Sequence, residues 1–226
     1  MNTLSNKTGY WSASLLLVSF IAWIVCFTGI AVTMPLFYWT NLQDYLAYEH
    51  SHSQVFQYIA KFFMLLFGPL YVLFINSFYD YAPENKKVLV RISLLFGLAF
   101  AILSSLHYFV QLSAVRFTIG HGPAEGLEYF VQANPNSVMT STDMLGWTLF
   151  LGLSSLFIHT IFTGDKLHKV IRYAFLLNGI SCMIAGVGYL FQIDILTFVF
   201  INLGVGGAII TVAIASLKLF KRLQGA

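Results

Sequence analysis

The chain alternates between long apolar stretches and short polar segments, and six of the apolar stretches reach the length of a membrane span. A helix needs about 20 mostly apolar residues to cross the hydrocarbon core of a bilayer. The stretches are continuous rather than alternating, which favours helices over the strands of a membrane barrel. The sequence therefore predicts an all-α fold, a polytopic transmembrane helical bundle that forms a single domain over residues 1–226. The predicted spans are Trp11–Met34, Phe56–Tyr79, Val88–Val115, Thr140–Thr163, Ile171–Gln192 and Ile195–Phe220.

Basic residues lie mainly on one side of these spans. Ten of the 12 Lys and Arg residues fall at the two chain ends, in the second-to-third loop or in the fourth-to-fifth loop. Only Lys61 and Arg116 fall on the other side. Because cytoplasmic segments carry the excess of Lys and Arg, we expect both termini in the cytoplasm. Five or seven spans would break this alternation, so the charge pattern also favours six.

Two long loops face the opposite, outer side, Pro35–Val55 and Arg116–Met139. Both contain acidic and aromatic residues in close succession. Tyr and Trp favour the depth of the lipid headgroups, and short amphipathic helices lie well in that layer. The segments Leu42–Tyr48 and Leu127–Gln132 are therefore predicted to form short interfacial helices.

The composition supports a membrane location and excludes nucleic-acid binding. Hydrophobic residues make up 58% of the chain and charged residues 9%, far below the roughly 25% of soluble domains. The net charge of +3 is spread between apolar stretches and forms no basic patch. The lipid bilayer is the partner that the composition predicts, and a protein partner stays unknown.

A constant offset relates several residues of the first half to residues of the second. The segment Asp44–Ala47 aligns with Glu128–Val131. The same offset pairs Gly68 with Gly152, and also Phe78 with Phe162. Duplication of a two-helix unit would produce this pattern and would place the two outer loops side by side. Chance matches are common in apolar sequence, so duplication and coincidence both stay open.

Polar residues within the spans are candidates for function, because ionisable groups in a bilayer are costly and usually face the bundle interior. Ser104, His107 and Gln111 share one face of the third span by their spacing. Further ionisable residues lie at the outer ends of neighbouring spans. We therefore expect a polar cavity, open to the outside, whose ligand-binding residues are His107, Gln111, Asp143, Lys61, Arg116 and Ser104.

A purely structural interpretation of the same residues is also open. Lys61 and Arg116 can extend to the headgroups, and Asp143 can cap the N-terminus of its helix. His107 and Gln111 can bridge neighbouring helices by hydrogen bonds. Arg116 also points away from His107 on an ideal helix, which weakens a single shared site.

No cofactor, metal site or catalytic residue is indicated by the sequence. His107 and His159 lie in opposite halves of antiparallel spans, so they cannot ligate one haem iron. The His50-Ser51-His52 segment is a weak metal signal in a polar loop. There is no P-loop, His-Glu-x-x-His, Cys-x-x-Cys or dinucleotide fingerprint. Ser154 and Ser155 lack a histidine on the last span that would act as the base of a serine protease.

Three segments of the second half, Phe157–His159, Leu167–Tyr173 and Gly186–Leu190, are similar to those of known membrane proteins. With them the chain resembles bacterial six-helix integral membrane proteins of unknown function. The resemblance covers the last third to half of the chain. It implies a bacterial cytoplasmic membrane and no particular activity.

Two functions therefore stay open, with a membrane-embedded enzyme as a weaker third. The first is a transporter or sensor that binds a small molecule or lipid in the outer cavity, with His107, Gln111 and Asp143 converging on one pocket. The second is a non-catalytic accessory or assembly protein that contacts a partner through its outer loops and has no deep pocket.

Overall fold

The computed structural model describes residues 3–121 and 124–224, and this part of the chain contains seven helices and no strand. Six of them are long and apolar enough to cross a membrane. The predicted six-span helical bundle is thereby confirmed, and an even number of spans leaves both chain ends on one side. The helices are α1 (Thr3–Thr33), α2 (Leu42–Ser51), α3 (Val55–Ser77), α4 (Glu84–His121), α5 (Val138–Ile161), α6 (Lys166–Leu190) and α7 (Asp194–Gln224).

Several helices extend beyond the apolar stretches that predicted them. Helix α4 continues to His121 and α7 to Gln224, and α6 begins at Lys166. Hydropathy detects the part of a helix that lies in hydrocarbon, whereas charged residues continue the same helix into the headgroup layer. Asp165 caps α6 by accepting a hydrogen bond from the His168 backbone N–H at 3.1 Å.

Asp165 also connects the α5–α6 loop to the end of α7. Its carboxylate accepts a hydrogen bond from Arg222 Nη1 at 2.9 Å. The backbone N–H of His168, its side chain and Arg222 together lower the pKa of Asp165 to about 2. This contact lies on the side that is rich in Lys and Arg.

The six long helices form a ring in which each packs against the next along the chain. Helix α1 packs against both α3 and α7, which closes the ring. Aromatic rings fill its middle and inner parts. Phe78 meets Phe162 edge-on at 5.0 Å between ring centroids, and Trp147 lies 5.0 Å from Phe100 and 5.6 Å from Phe67. Dispersion contacts of this kind hold helices together in lipid, where burying apolar surface gains little.

The first predicted interfacial segment, Leu42–Tyr48, is helical throughout, and the second only in part. Leu42 begins α2, where the Asn41 side chain accepts a hydrogen bond from the Asp44 N–H. The second segment forms only a single 3-10 turn, Leu127–Tyr129. The two outer loops pack on each other through an apolar cluster, and we call them together the outer cap. The buried members of the cluster are Tyr45, Val115, Leu127 and Val131.

The offset found in the sequence relates corresponding parts of the fold. Shifted by it, α3 coincides with α5 to within one residue at each end. Gly68 lies against Ala101 of α4, and Gly152 lies against Cys182 of α6 in the same way. These correspondences, with the packed outer loops, agree with duplication of a helix pair.

Three spans contain a wider, π-helical turn in their outer halves: Gln111–Val115 in α4, Gly146–Phe150 in α5 and Phe200–Val205 in α7. A π turn inserts one residue into the α-helical register and often marks a functional site. The three turns surround the same region of the bundle, which is described below.

The close approach of α3 and α4 at Gly68 leads to a test of the packing. A Cβ atom at Gly68 would lie 2.8 Å from the Cα of Ala101, so Gly68→Ala must push the helices apart. We expect the free energy of unfolding to fall by about 1–3 kcal/mol, as for other overpacked sites. The measurement is denaturant unfolding of the protein in detergent micelles.

Gly207→Ala is the matched control, because a Cβ atom there meets nothing within 4 Å. Alanine favours the helix over glycine by up to about 1 kcal/mol, so this variant should keep or gain stability. Equal stability of the two variants would contradict the packing argument.

Candidate functional site

Two adjoining cavities of about 270 and 170 Å³ lie between the helices under the outer cap. They share four lining residues, so we treat them as one outer cavity with two ends. Lys61 lines one end and Asp143 the other. The shared lining residues are Trp23, Met64, Tyr108 and Gln132.

The Lys61 end lies beneath α2, where a buried glutamate compensates the charge of the lysine. Lys61 is 9% exposed and Glu49 7% exposed. Burial raises the pKa of Glu49, whereas the positive charge of Lys61 and a hydrogen bond from Tyr45 act in the opposite direction. The two residues thus interact through their charges at this end of the cavity, at a distance longer than that of a salt bridge.

The Asp143 end is formed where α4 faces α5. His107 is fully buried, and its Nδ1 donates to the Met139 carbonyl oxygen at 3.0 Å. Its Nε2 lies 3.9 Å from Asp143 Oδ2. Ser104 and Trp147 lie beside the same carboxyl group. We call Ser104, His107 and Asp143 the Asp143 site.

Each residue of the Asp143 site has a buried polar atom that lacks a hydrogen-bond partner among the residues described: Ser104 Oγ, His107 Nε2 and Asp143 Oδ1. Buried polar atoms in proteins are nearly always paired, so three orphaned atoms in one place need an explanation. They are the strongest signal of function in the structure.

Gln111 shapes the roof of the cavity and is absent from its lining. Its Nε2 donates to the Phe130 carbonyl at 2.6 Å, and its Oε1 accepts from the Gln132 N–H at 3.1 Å. Thr140 Oγ1 donates to the Gln132 carbonyl at 3.1 Å. These bonds fix the backbone of Gln132, whose side chain lines both ends of the cavity.

Arg116 lies outside the cavity. It is exposed, and its guanidinium group lies over the ring of Tyr58 at 4.9 Å. His107 is buried whereas Arg116 is exposed, so the two side chains do not share a site. Of the six candidate residues, the structure thus brings Lys61 and Asp143 to the cavity, with Ser104 and His107 beside Asp143.

Sequence reasoning missed several residues of the cavity. Gln132 comes from an irregular loop, where no periodicity reveals its direction. Trp147 follows Asp143 by four residues and shares its helical face, so this spacing was a usable signal. Glu49 looked like a solvated loop residue, because nothing in the sequence shows that α2 folds down over α3.

A second polar cluster lies in the inner half, and aromatic rings separate it from the cavity. Tyr71 donates to Ser154 at 3.0 Å, and Asn178 Nδ2 donates to Ser155 at 2.7 Å. Along α3, α4 and α5, the residues Phe67, Phe100 and Trp147 come between this cluster and the outer cavity. The cluster bridges neighbouring helices, which accounts for both serines in structural terms.

Comparison with protein-family models, with curated proteins and with solved structures finds no match to this chain.

Replacing Gln111 tests whether it holds the roof in place. Gln111→Leu removes both bonds to the roof backbone and leaves the partners of a buried amide unpaired. We expect a loss of about 1–3 kcal/mol in the free energy of unfolding. We also expect faster maleimide labelling at the buried cavity position in a Met64→Cys background. Gln43→Leu, at an exposed position of α2, should change neither quantity.

The raised pKa of Glu49 predicts a pH dependence of stability. Below the ordinary glutamate pKa of 4.5, both the folded and the unfolded state bind the proton. As pH rises through this value, the unfolded chain releases its proton before the folded protein does. The free energy of unfolding should therefore fall until the raised, folded-state pKa is passed.

Glu49→Gln should remove this part of the pH dependence, and thermal unfolding in detergent between about pH 4 and pH 8 would measure it. Glu125→Gln, at an exposed position of the outer cap, is the control and should keep the wild-type profile. A Glu49→Gln profile that matches wild type would show that burial of this carboxyl group has no effect on stability.

Proposed function

We propose that this multi-pass membrane protein binds a small molecule or lipid in the outer cavity, as a transporter or sensor does. The observation that supports the proposal most is the pair of adjoining cavities with oppositely charged residues at their ends. Ligand sites of this kind combine apolar walls with a few polar groups, in volumes of roughly 300–1,000 Å³. The two cavities together fall in this range.

The wall of the cavity between α1 and α7 indicates where a ligand enters. Trp23 and Phe27 line it and are also partly exposed on the surface of the bundle. Ile201 and Val205 of α7 line it opposite α1, so the cavity separates these two helices in their outer halves. Helix surfaces here face lipid, and a ligand dissolved in the outer leaflet would enter between α1 and α7.

The residues of the Asp143 site match the types of a Ser-His-Asp triad, but their arrangement does not favour hydrolysis. In such triads the serine hydroxyl bonds to the histidine, and the carboxylate orients the other ring nitrogen. Here the backbone carbonyl of Met139 accepts from Nδ1, and Ser104 Oγ has no hydrogen bond to His107 among the described residues. Binding is therefore the better-supported function.

The test of the proposal is to find the ligand and to displace it. Native mass spectrometry of the protein, purified in mild detergent, should show additional mass on the wild type. Ala60→Phe places a ring in the cavity, so it should remove that mass. Ala31→Phe, at an exposed position of α1, should leave it in place. The proposal would be contradicted if the wild type carried no additional mass, or if both variants kept the same additional mass.

A second candidate is the accessory or assembly role, which the exposed apolar residues of the outer cap favour. Tyr38 is 78% exposed and Tyr129 57% exposed. A partner that covers these residues would protect them from labelling in cells but not after purification. The same mass spectra distinguish the candidates, because this role requires no ligand that Ala60→Phe displaces.

We further propose a location in the bacterial cytoplasmic membrane, on the resemblance of the second half of the chain to bacterial membrane proteins. The positive-inside rule then places the Lys- and Arg-rich side in the cytoplasm. The outer cavity then opens towards the outer leaflet of that membrane.

A further inference from the structure

We infer that the ligand of the outer cavity carries a positively charged amine, which binds at the Asp143 site. The inference rests on the proposed function and names the chemistry of its ligand. It is carried by the three buried polar atoms that lack partners, and by the charge and the aromatic walls around them.

The Asp143 site presents hydrogen-bond acceptors. The Met139 carbonyl can only accept, so Nδ1 of His107 holds the proton of the neutral ring, and Nε2 exposes a lone pair. The Asp143 carboxylate accepts as well, and the Ser104 hydroxyl can do so. A single ligand group that donates to all three needs several N–H donors, as an ammonium group has.

The distance within the site leaves room for such a group. A protonated histidine bonded to a carboxylate would lie at about 2.7–2.9 Å. The observed separation of 3.9 Å between His107 Nε2 and Asp143 Oδ2 is longer. A nitrogen placed to one side can reach both atoms at hydrogen-bonding distance.

Asp143 could ionise at this depth only beside a cationic partner. Among the described residues of the six spans, it is the one buried carboxylate. Lys61, the one buried lysine or arginine among the described residues, lies at the other end of the cavity. A carboxylate withdrawn from water is costly unless it is paired, and a cationic ligand would pair it.

The walls around Asp143 suit the rest of such a ligand. Trp147, Tyr108, Trp23 and Phe20 line this end of the cavity. Aromatic faces attract ammonium groups and pack against apolar bodies. At about 170 Å³, this end accommodates a single ring on a short chain, or the head of an amine-bearing lipid.

The test measures equilibrium binding of radiolabelled 2-phenylethylamine to the full chain in nanodiscs of phosphatidylglycerol. The uncharged isostere 2-phenylethanol serves as competitor. We expect the amine to bind about tenfold more tightly than the alcohol, or better, because the alcohol leaves the carboxylate unpaired.

Asp143→Asn should weaken amine binding about tenfold or more while leaving alcohol binding unchanged. Asp194→Asn, an exposed carboxylate at the outer end of α7, should bind like the wild type. If Asp143→Asn does not fold, the wild-type preference for amine over alcohol still decides the question.

Nanodiscs that contain phosphatidylethanolamine separate two sources of the amine. If this lipid competes with the labelled amine, a lipid headgroup is the ligand. If it does not compete, a free aromatic amine is favoured. Either result supports a cationic ligand when the amine preference holds.

Equal binding of amine and alcohol, or full amine binding by Asp143→Asn, would overturn the inference. If both probes bind equally and Ala60→Phe displaces both, the cavity still binds ligands and only the cationic chemistry is wrong. If neither probe binds and the purified protein is bare, the proposed function fails with it.

Discussion

The hydrocarbon core of a bilayer offers no water to a polar group, and this constraint governs both the fold and the site. Backbone groups are satisfied within the six long helices. Polar side chains must find partners inside the protein, and in the inner half Tyr71 and Ser154 do so, as does the Nδ2 of Asn178. The Oδ1 of Asn178 has no partner among the described residues. At the Asp143 site the same constraint is unmet among the described residues. What distinguishes the Asp143 site is that three such atoms belong to neighbouring side chains at the end of a cavity.

The two related helix pairs contribute differently to the cavity. Under the common offset, Lys61 of α3 corresponds to Leu145 of α5, and Asp143 corresponds to Ile59. Each helix pair thus supplies one ionisable residue near the outer end of its first helix. One of these residues is basic and the other acidic. If the pairs arose by duplication, the cavity acquired its polarity afterwards, through substitutions at non-equivalent positions.

The spans could be predicted from sequence because a lipid environment imposes a simple condition on composition and length. The rule that buried charges face the interior also selected Lys61, Asp143, His107 and Ser104 correctly as interior residues. Arg116 lies near a helix end, where the rule has little force because the headgroups are within reach. The contribution of Gln132 and the separation of α1 from α7 depend on tertiary packing, which no periodicity in one sequence reveals.

The closure of the ring by α7 has a consequence for biogenesis. This helix is synthesised after the other six, yet Ile201 and Val205 form one wall of the cavity. Until it inserts, the carboxyl group of Asp143 lies on an open face of an unfinished bundle and cannot hold a ligand as the mature protein does. The ligand therefore binds only after α7 has been translated and has inserted beside the other helices.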